Sequence, residues 1–234
     1  MATLRRRITL SLLGALALAI AVFAYALSHE SACEPAPALA PGAGTMKAVV
    51  RRCYGPPEVL ALETIEKPVP ADDQLLVRVH AASINPVDWH DMRGEPYIMR
   101  LGGGFGAPAN PRVGTDFAGT VEAVGRDVTK FKPGDEVFGG RNGALAEYIT
   151  ITEGGNLALK PAGVSFVQAA AVNVAGLTAL QTLRDRSALE PGQKVLINGA
   201  SGGVGTFAVQ IAKSLGAEVT GVSSTRNLEL VRSL

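Results

Sequence analysis

Read for the alternation of apolar and polar positions, the chain falls into three regions. Residues 8–27 form an uncharged and largely apolar run, including Leu12-Leu13-Gly14-Ala15-Leu16-Ala17-Leu18 and Ile20-Ala21-Val22-Phe23. A helix of about 20 apolar residues crosses a bilayer. Between Met46 and Lys160, short segments with β-branched residues follow one another, at 47–52, 59–65, 75–81, 119–124, 136–138, 146–151 and 157–159. Gly55-Pro56-Pro57, Pro68-Val69-Pro70 and Lys132-Pro133-Gly134-Asp135 punctuate them, which predicts a small β-barrel or sandwich. The alternation in Leu75-Leu76-Val77-Arg78-Val79-His80 makes His80 a strand-surface residue rather than a ligand. Residues 85–115 break the pattern with a long stretch of loop, which such a position marks as functional.

From Ser165 the period changes. Ser165-Phe166-Val167-Gln168 has the form of a capping box, and an Ala- and Leu-rich helix follows, expected to break at Gly176 and resume to Leu189. Lys194-Val195-Leu196-Ile197-Asn198 is a short apolar strand of the kind covered on both faces of a parallel sheet. A glycine turn, a helix over 206–215 and a strand over 217–222 complete one βαβ unit. The fold class predicted is therefore α/β: a β-barrel domain followed by a truncated parallel βαβ (Rossmann) domain, with an N-terminal hydrophobic helix.

Composition changes the picture little. The net charge is +1 and no stretch beyond the first seven residues is strongly basic, so nucleic acid is not an expected partner. Two cysteines, Cys33 and Cys53, have no repeated spacing, and we read them as chance occurrences rather than a disulfide framework. Arg5, Arg6 and Arg7 ahead of the apolar run favour a cytoplasmic amino end and an uncleaved anchor through residues 8–27. Ala24-Tyr25-Ala26 also has the form of a signal-peptidase site, and cleavage there would give an exported protein.

The chemistry concentrates in Ala200-Ser201-Gly202-Gly203-Val204-Gly205, a turn between an apolar strand and a helix. Gly202 lets the backbone approach a pyrophosphate, Gly205 lets helix and strand pack, and the amides at the helix start point at the anion. Ala200 replaces the first glycine of the general fingerprint, so φ > 0 is not expected there. At the end of the second strand an acidic residue would hold the ribose of NAD. Val222-Ser223-Ser224-Thr225-Arg226 stands there instead, and Ser223, Ser224 and Arg226 suit the 2′-phosphate of NADP.

The stretch from Gly192 to Gly205, followed by Gln210 and Lys213, resembles the signature of the quinone oxidoreductases (zeta-crystallin-like) of the medium-chain dehydrogenase/reductase family. Further likeness lies in Met46-Lys47-Ala48, Ser83-Ile84-Asn85-Pro86-Val87-Asp88, Gly114-Thr115-Asp116-Phe117-Ala118-Gly119 and Gly134-Asp135-Glu136-Val137-Phe138-Gly139. The resemblance implies a GroES-like catalytic domain over 46–164 and a partial NADP-binding domain over 165–234. It leaves residues 1–28 as anchor or signal and 29–45 as a Pro/Ala/Gly linker. It also implies a zinc-independent, NADPH-dependent reduction of a quinone or an α,β-unsaturated carbonyl, with relatives often homodimeric. Asn85 stands where zinc-dependent relatives have a cysteine, and no His or Cys follows His90. Tyr97 is implied as a donor to the acceptor oxygen, Asn85 as a contact at the nicotinamide end, and Thr178 as a helix residue near the cofactor. Relatives commonly begin as Met46-Lys47-Ala48 does, so a start there would make the protein cytoplasmic. An alcohol dehydrogenase of the same family, and a membrane-anchored nucleotide-binding or trafficking protein without turnover, are the alternatives. A full dinucleotide domain has six strands; two are present, so the expectation is a fragment, poorly stable and inactive alone.

Overall fold

The computed structural model describes residues 2–234, with side chains from residue 10 onward. The side chains of Arg5, Arg6 and Arg7 lie outside the described residues. Contacts gather the chain into two compact units, the first of Met1–Val69, Ile84–Thr115 and Asn142–Ile149, the second of Pro70–Ser83, Asp116–Arg141 and Thr150–Leu234.

In the first unit, α1 (Ala2–Ser28) contains a stretch, Leu10–Ser28, long and apolar enough to cross a membrane and not buried against the protein. Strand β1 (Thr45–Arg51) pairs antiparallel with β2 (Leu60–Glu66), from Thr45 opposite Glu66 to Arg51 opposite Leu60. Met46, Ala48 and Val50 point inward at every second position of β1, the period of a half-buried strand. The other edge of β1 is also occupied: the Val49 N–H donates to Leu145 O (2.8 Å) and the Arg51 N–H to Pro111 O (2.7 Å). The stretch expected to be loop carries α2 (Pro86–Arg93), a single 3-10 turn over Tyr97–Met99 and the short α3 (Arg100–Gly103). Pro86 at the first helical position and Gly94 in the left-handed region behind Arg93 delimit α2, two signals the loop reading overlooked.

One further reading is corrected here. Cys33 and Cys53 are joined as a disulfide, with Cα atoms 4.6 Å apart, within the span such a bond requires. Residues 29–45 have almost no regular structure, yet they do not run free. The Ser31 N–H donates to Gly106 O (2.9 Å) and the Ala40 N–H to the Glu66 carboxylate (2.8 Å).

The second unit holds β3 (Gln74–Ser83), β4 (Asp116–Val124), β5 (Glu136–Gly140), β6 (Tyr148–Thr152, entering it at Thr150) and β7 (Leu157–Leu159), a sheet in the order β6-β3-β4-β5-β7. Leu75, Val77, Phe117, Ala118, Val121 and Val137 are among its buried side chains. His80 lies on the strand surface as expected, its Nε2 3.0 Å from Thr120 Oγ1. Ser165 and Gln168 make the predicted reciprocal cap of α4 (Phe166–Ala170). The helical break falls at Ala171 and Val172, not at Gly176, which lies inside α5 (Asn173–Leu180). There a Cβ would stand in ordinary contact with the Phe207 ring of α6 (Gly203–Ser214), at 3.7 Å, and tighter against Val172, at 3.2 Å. A π-helical segment, Gln181–Arg186, continues α5. Strands β8 (Lys194–Asn198) and β9 (Glu218–Val222) pair in parallel, Lys194 opposite Glu218 and Asn198 opposite Val222, with α6 between them in the chain. The short helix α7 (Leu228–Arg232) follows. Ala179, Leu183, Ile197, Ala200, Ala208, Val209 and Ala212 pack as one core of α5, α6 and β8.

Candidate functional site

The glycine turn joins β8 to α6. Its positive φ (+74°) is taken by Gly199, one residue before Ala200, so the alanine at 200 costs the turn nothing. A Cβ on Gly205 would overlap the Gly199 carbonyl and the Ala200 backbone, which ties that glycine to helix–strand packing. Helix α6 begins at Gly203 behind Gly202 in extended conformation, and no side chain caps it. Its first N–H groups therefore lack intrahelical partners and carry the positive end of the helix dipole. Gly202, Gly203 and Val204 are exposed, so this cradle is open to an anion.

The chain leaves β9 alongside that turn. Ala200 N–H donates to Val222 O (3.0 Å), and the Asn227 side-chain amide donates to Ser201 Oγ (2.9 Å). Asn227 was not singled out from sequence; it draws the segment carrying Ser223, Ser224 and Arg226 against the cradle. Arg226 is exposed and has no carboxylate within ion-pair distance among the described residues. Thr178 is exposed on α5, and its hydroxyl donates to Val174 O of its own helix (2.6 Å). Ala175, one turn earlier, lies 4.0 Å from where a Gly203 Cβ would stand, so α5 borders the cradle.

Helix α5 is itself fixed by a group that periodicity did not reveal. Asp116 of β4 is wholly buried, and its carboxylate accepts from Asn173 Nδ2 (2.8 Å) and the Val174 N–H (3.0 Å). Buried charge requires such partners. The available signal was an acid standing directly before the apolar Phe117 and Ala118.

In the first unit, the Asp88 carboxylate accepts from the Asn85 N–H (2.7 Å) and the Thr115 hydroxyl (2.7 Å). Asn85 and Asp88 form a capping box, so both hold the start of α2. Near them Pro57, Leu60, Ile84, Trp89, Met92 and Leu145 line an apolar hollow. Tyr97 is 44 % exposed, and the Arg100 guanidinium lies between its ring (4.7 Å) and that of Tyr54 (4.5 Å). Burial raises the Tyr54 phenol above its ordinary pKa, against Arg51 and Arg100, and its hydroxyl donates to Gly104 O (2.9 Å). Arg51 is buried beside Asp91 (3.0 Å); desolvation lowers its pKa, and its Nε and Nη1 find no partner among the described residues.

Among the described residues no three of His, Cys, Asp or Glu gather into a metal-binding group. Cys53 is spent in the disulfide and His90 Nδ1 lies 2.8 Å from Glu95 O.

Residues 71–162 match the alcohol dehydrogenase GroES-like domain. A zinc-type alcohol dehydrogenase-like protein of Schizosaccharomyces pombe is 42 % identical over 203 residues, covering 82 % of this chain and 57 % of that protein. The structure of a Coxiella burnetii quinone oxidoreductase superposes with a TM-score of 0.73 at 34 % identity, over 81 % of this chain and 60 % of that one. A mycobacterial protein in complex with NADPH does so at 0.69 and 30 %, over 80 % and 55 %. The chain spans about half the length of the curated relatives it matches.

Proposed function

The chain belongs to the medium-chain dehydrogenase/reductase family, and from that premise we propose an NADPH-dependent reductase of quinones or α,β-unsaturated carbonyls that works without zinc. The observation that carries the reading is the uncapped start of α6 with the β9 exit drawn against it by Asn227.

The N–H groups of Gly203, Val204 and Gly205, with Ser201 at the turn, hold the pyrophosphate of the nucleotide. Ser223, Ser224 and Arg226 bind its 2′-phosphate, where a carboxylate would repel it. Thr178 borders the same nucleotide on α5. Bound there, the nicotinamide supplies the hydride. Tyr97 donates its phenolic proton toward the oxygen on which charge develops, and Asn85 contacts the nicotinamide end. With no metal to polarise the carbonyl, an acceptor that is already electrophilic suits these donors best. The division of labour proposed is a catalytic domain over 46–164 and a cofactor domain over 165–234, as a homodimer. Residues 8–27 anchor the protein in a membrane.

Following NADPH absorbance with a panel of quinones, enones and simple aldehydes tests this. Turnover of quinones or enones that persists after chelation of metals is the expected result. Turnover confined to alcohols or aldehydes and abolished by chelators would replace it with a zinc alcohol dehydrogenase; NADPH binding with no turnover of any acceptor would indicate a non-catalytic nucleotide-binding protein.

A further inference from the structure

The chain does not leave α1 as a loose tether. Arg100, fully buried, directs its guanidinium at the end of that helix: Nη1 donates to Leu27 O (3.2 Å) and His29 O (3.0 Å), and Nη2 to the Glu30 carboxylate (2.8 Å). The last carbonyls of a helix lack intrahelical partners and form its negative end, so a buried cation suits them. Nε of the same side chain donates to Gly94 O (2.9 Å), which binds the helix end to the loop before α3. Two residues on, Ser31 pairs with Gly106, where an added Cβ would stand 2.7 Å from the Ser31 hydroxyl. Cys33 then closes the disulfide to Cys53. Three ties of different chemistry within residues 27–33 leave no slack, so residues 97–106 travel with the end of α1.

That loop presents an apolar outer side. Ile98 (62 % exposed), Leu101 (48 %) and Phe105 (53 %) stand out beside Tyr97. Tyr25, on the last turns of α1, is exposed as well, with its ring 5.4 Å from His29. An aromatic residue with a polar tip at the end of an apolar span is the pattern of a membrane interface.

We propose that Ile98, Leu101 and Phe105 form a lip that lies in the headgroup region of the bilayer crossed by α1. The inference rests on reading residues 8–27 as an anchor. A lipid surface, rather than a second copy of the chain, is the occupant because the lip is fastened to the end of the span itself.

Trp89 is the single tryptophan of the chain, so a Trp89→Phe background allows one probe at a time. The whole protein, reconstituted in phosphatidylcholine vesicles with lipids brominated at shallow or deep positions, is examined with Ile98→Trp, Leu101→Trp, Leu16→Trp and Val69→Trp. Val69, also exposed, lies outside the lip. The expected result is strong quenching of Leu16→Trp by deep bromines. Ile98→Trp and Leu101→Trp are quenched by shallow ones, at least threefold more than Val69→Trp. Lip probes quenched no more than Val69→Trp, with Leu16→Trp quenched, overturn the docking and leave the anchor standing; the same holds if the lip probes respond only to protein concentration. Absence of quenching at Leu16→Trp overturns the anchor, and the docking with it.

Discussion

In the function proposed, Arg226 separates two cofactors by charge. An exposed guanidinium with no carboxylate beside it has nothing to lose by binding a phosphate, and charge-assisted bonds contribute roughly 1.5–3 kcal/mol each. Arg226→Ala is therefore expected to weaken NADPH binding about tenfold or more while leaving NADH nearly unchanged, a difference that paired titrations measure. Asp116 acts at the same scale on the fold. Asp116→Ala would leave the Asn173 amide and the Val174 N–H buried without their acceptor, at about 2–4 kcal/mol, read as a lower midpoint in urea denaturation. The position of Arg226 was legible from sequence, because it follows directly from the strand that precedes it. The role of Asp116 was not, because its partners lie far off in the chain, at Asn173 and Val174. Arg100 is the same case, since its targets at Leu27, His29 and Glu30 carry no local signal.

At the scale of elements, strands were read closely because alternation reports burial directly; β8, read from its apolar run, was placed at its observed bounds, but Leu196 is 68 % exposed rather than covered. Helix breaks were read less well. Glycine suggested a break at Gly176, yet α5 runs through it, because a single glycine costs a helix only about 1 kcal/mol and packing outweighs intrinsic propensity there. Gly205 is under a stricter constraint, since a Cβ there would overlap the Gly199 carbonyl. Gly205→Val should push α6 away from β8 and abolish NADPH binding, with far-UV circular dichroism showing whether the helix itself survives. The disulfide was missed because two isolated cysteines carry no framework and pairing depends on how residues 29–33 fold back. Reducing it, or making Cys53→Ser, should cost about 2–4 kcal/mol of stability and expose residues 29–33 to protease. In a reducing compartment that clip would open, and in an oxidising one it would persist.

For the whole molecule, the function proposed calls for a nucleotide and an acceptor, and the residues proposed for them divide between the two units. Those of the nucleotide lie at the ends of β8 and β9; Asn85 and Tyr97 lie on and after α2. This much was legible, because the glycine turn, the apolar strand before it and the basic exit after it are all local in sequence. The apolar hollow beside Asn85 was not, since it is assembled from residues as distant as Pro57 and Leu145. The central claim is that the open end of α6 grips a phosphorylated nucleotide. Titration of the metal-free protein with NADPH and with NADH, followed by nicotinamide fluorescence, tests it most directly. The account predicts saturable binding of NADPH, at least tenfold tighter than NADH and lost with Gly205→Val. Absence of saturable binding, or equal affinity for the two nucleotides, would contradict it.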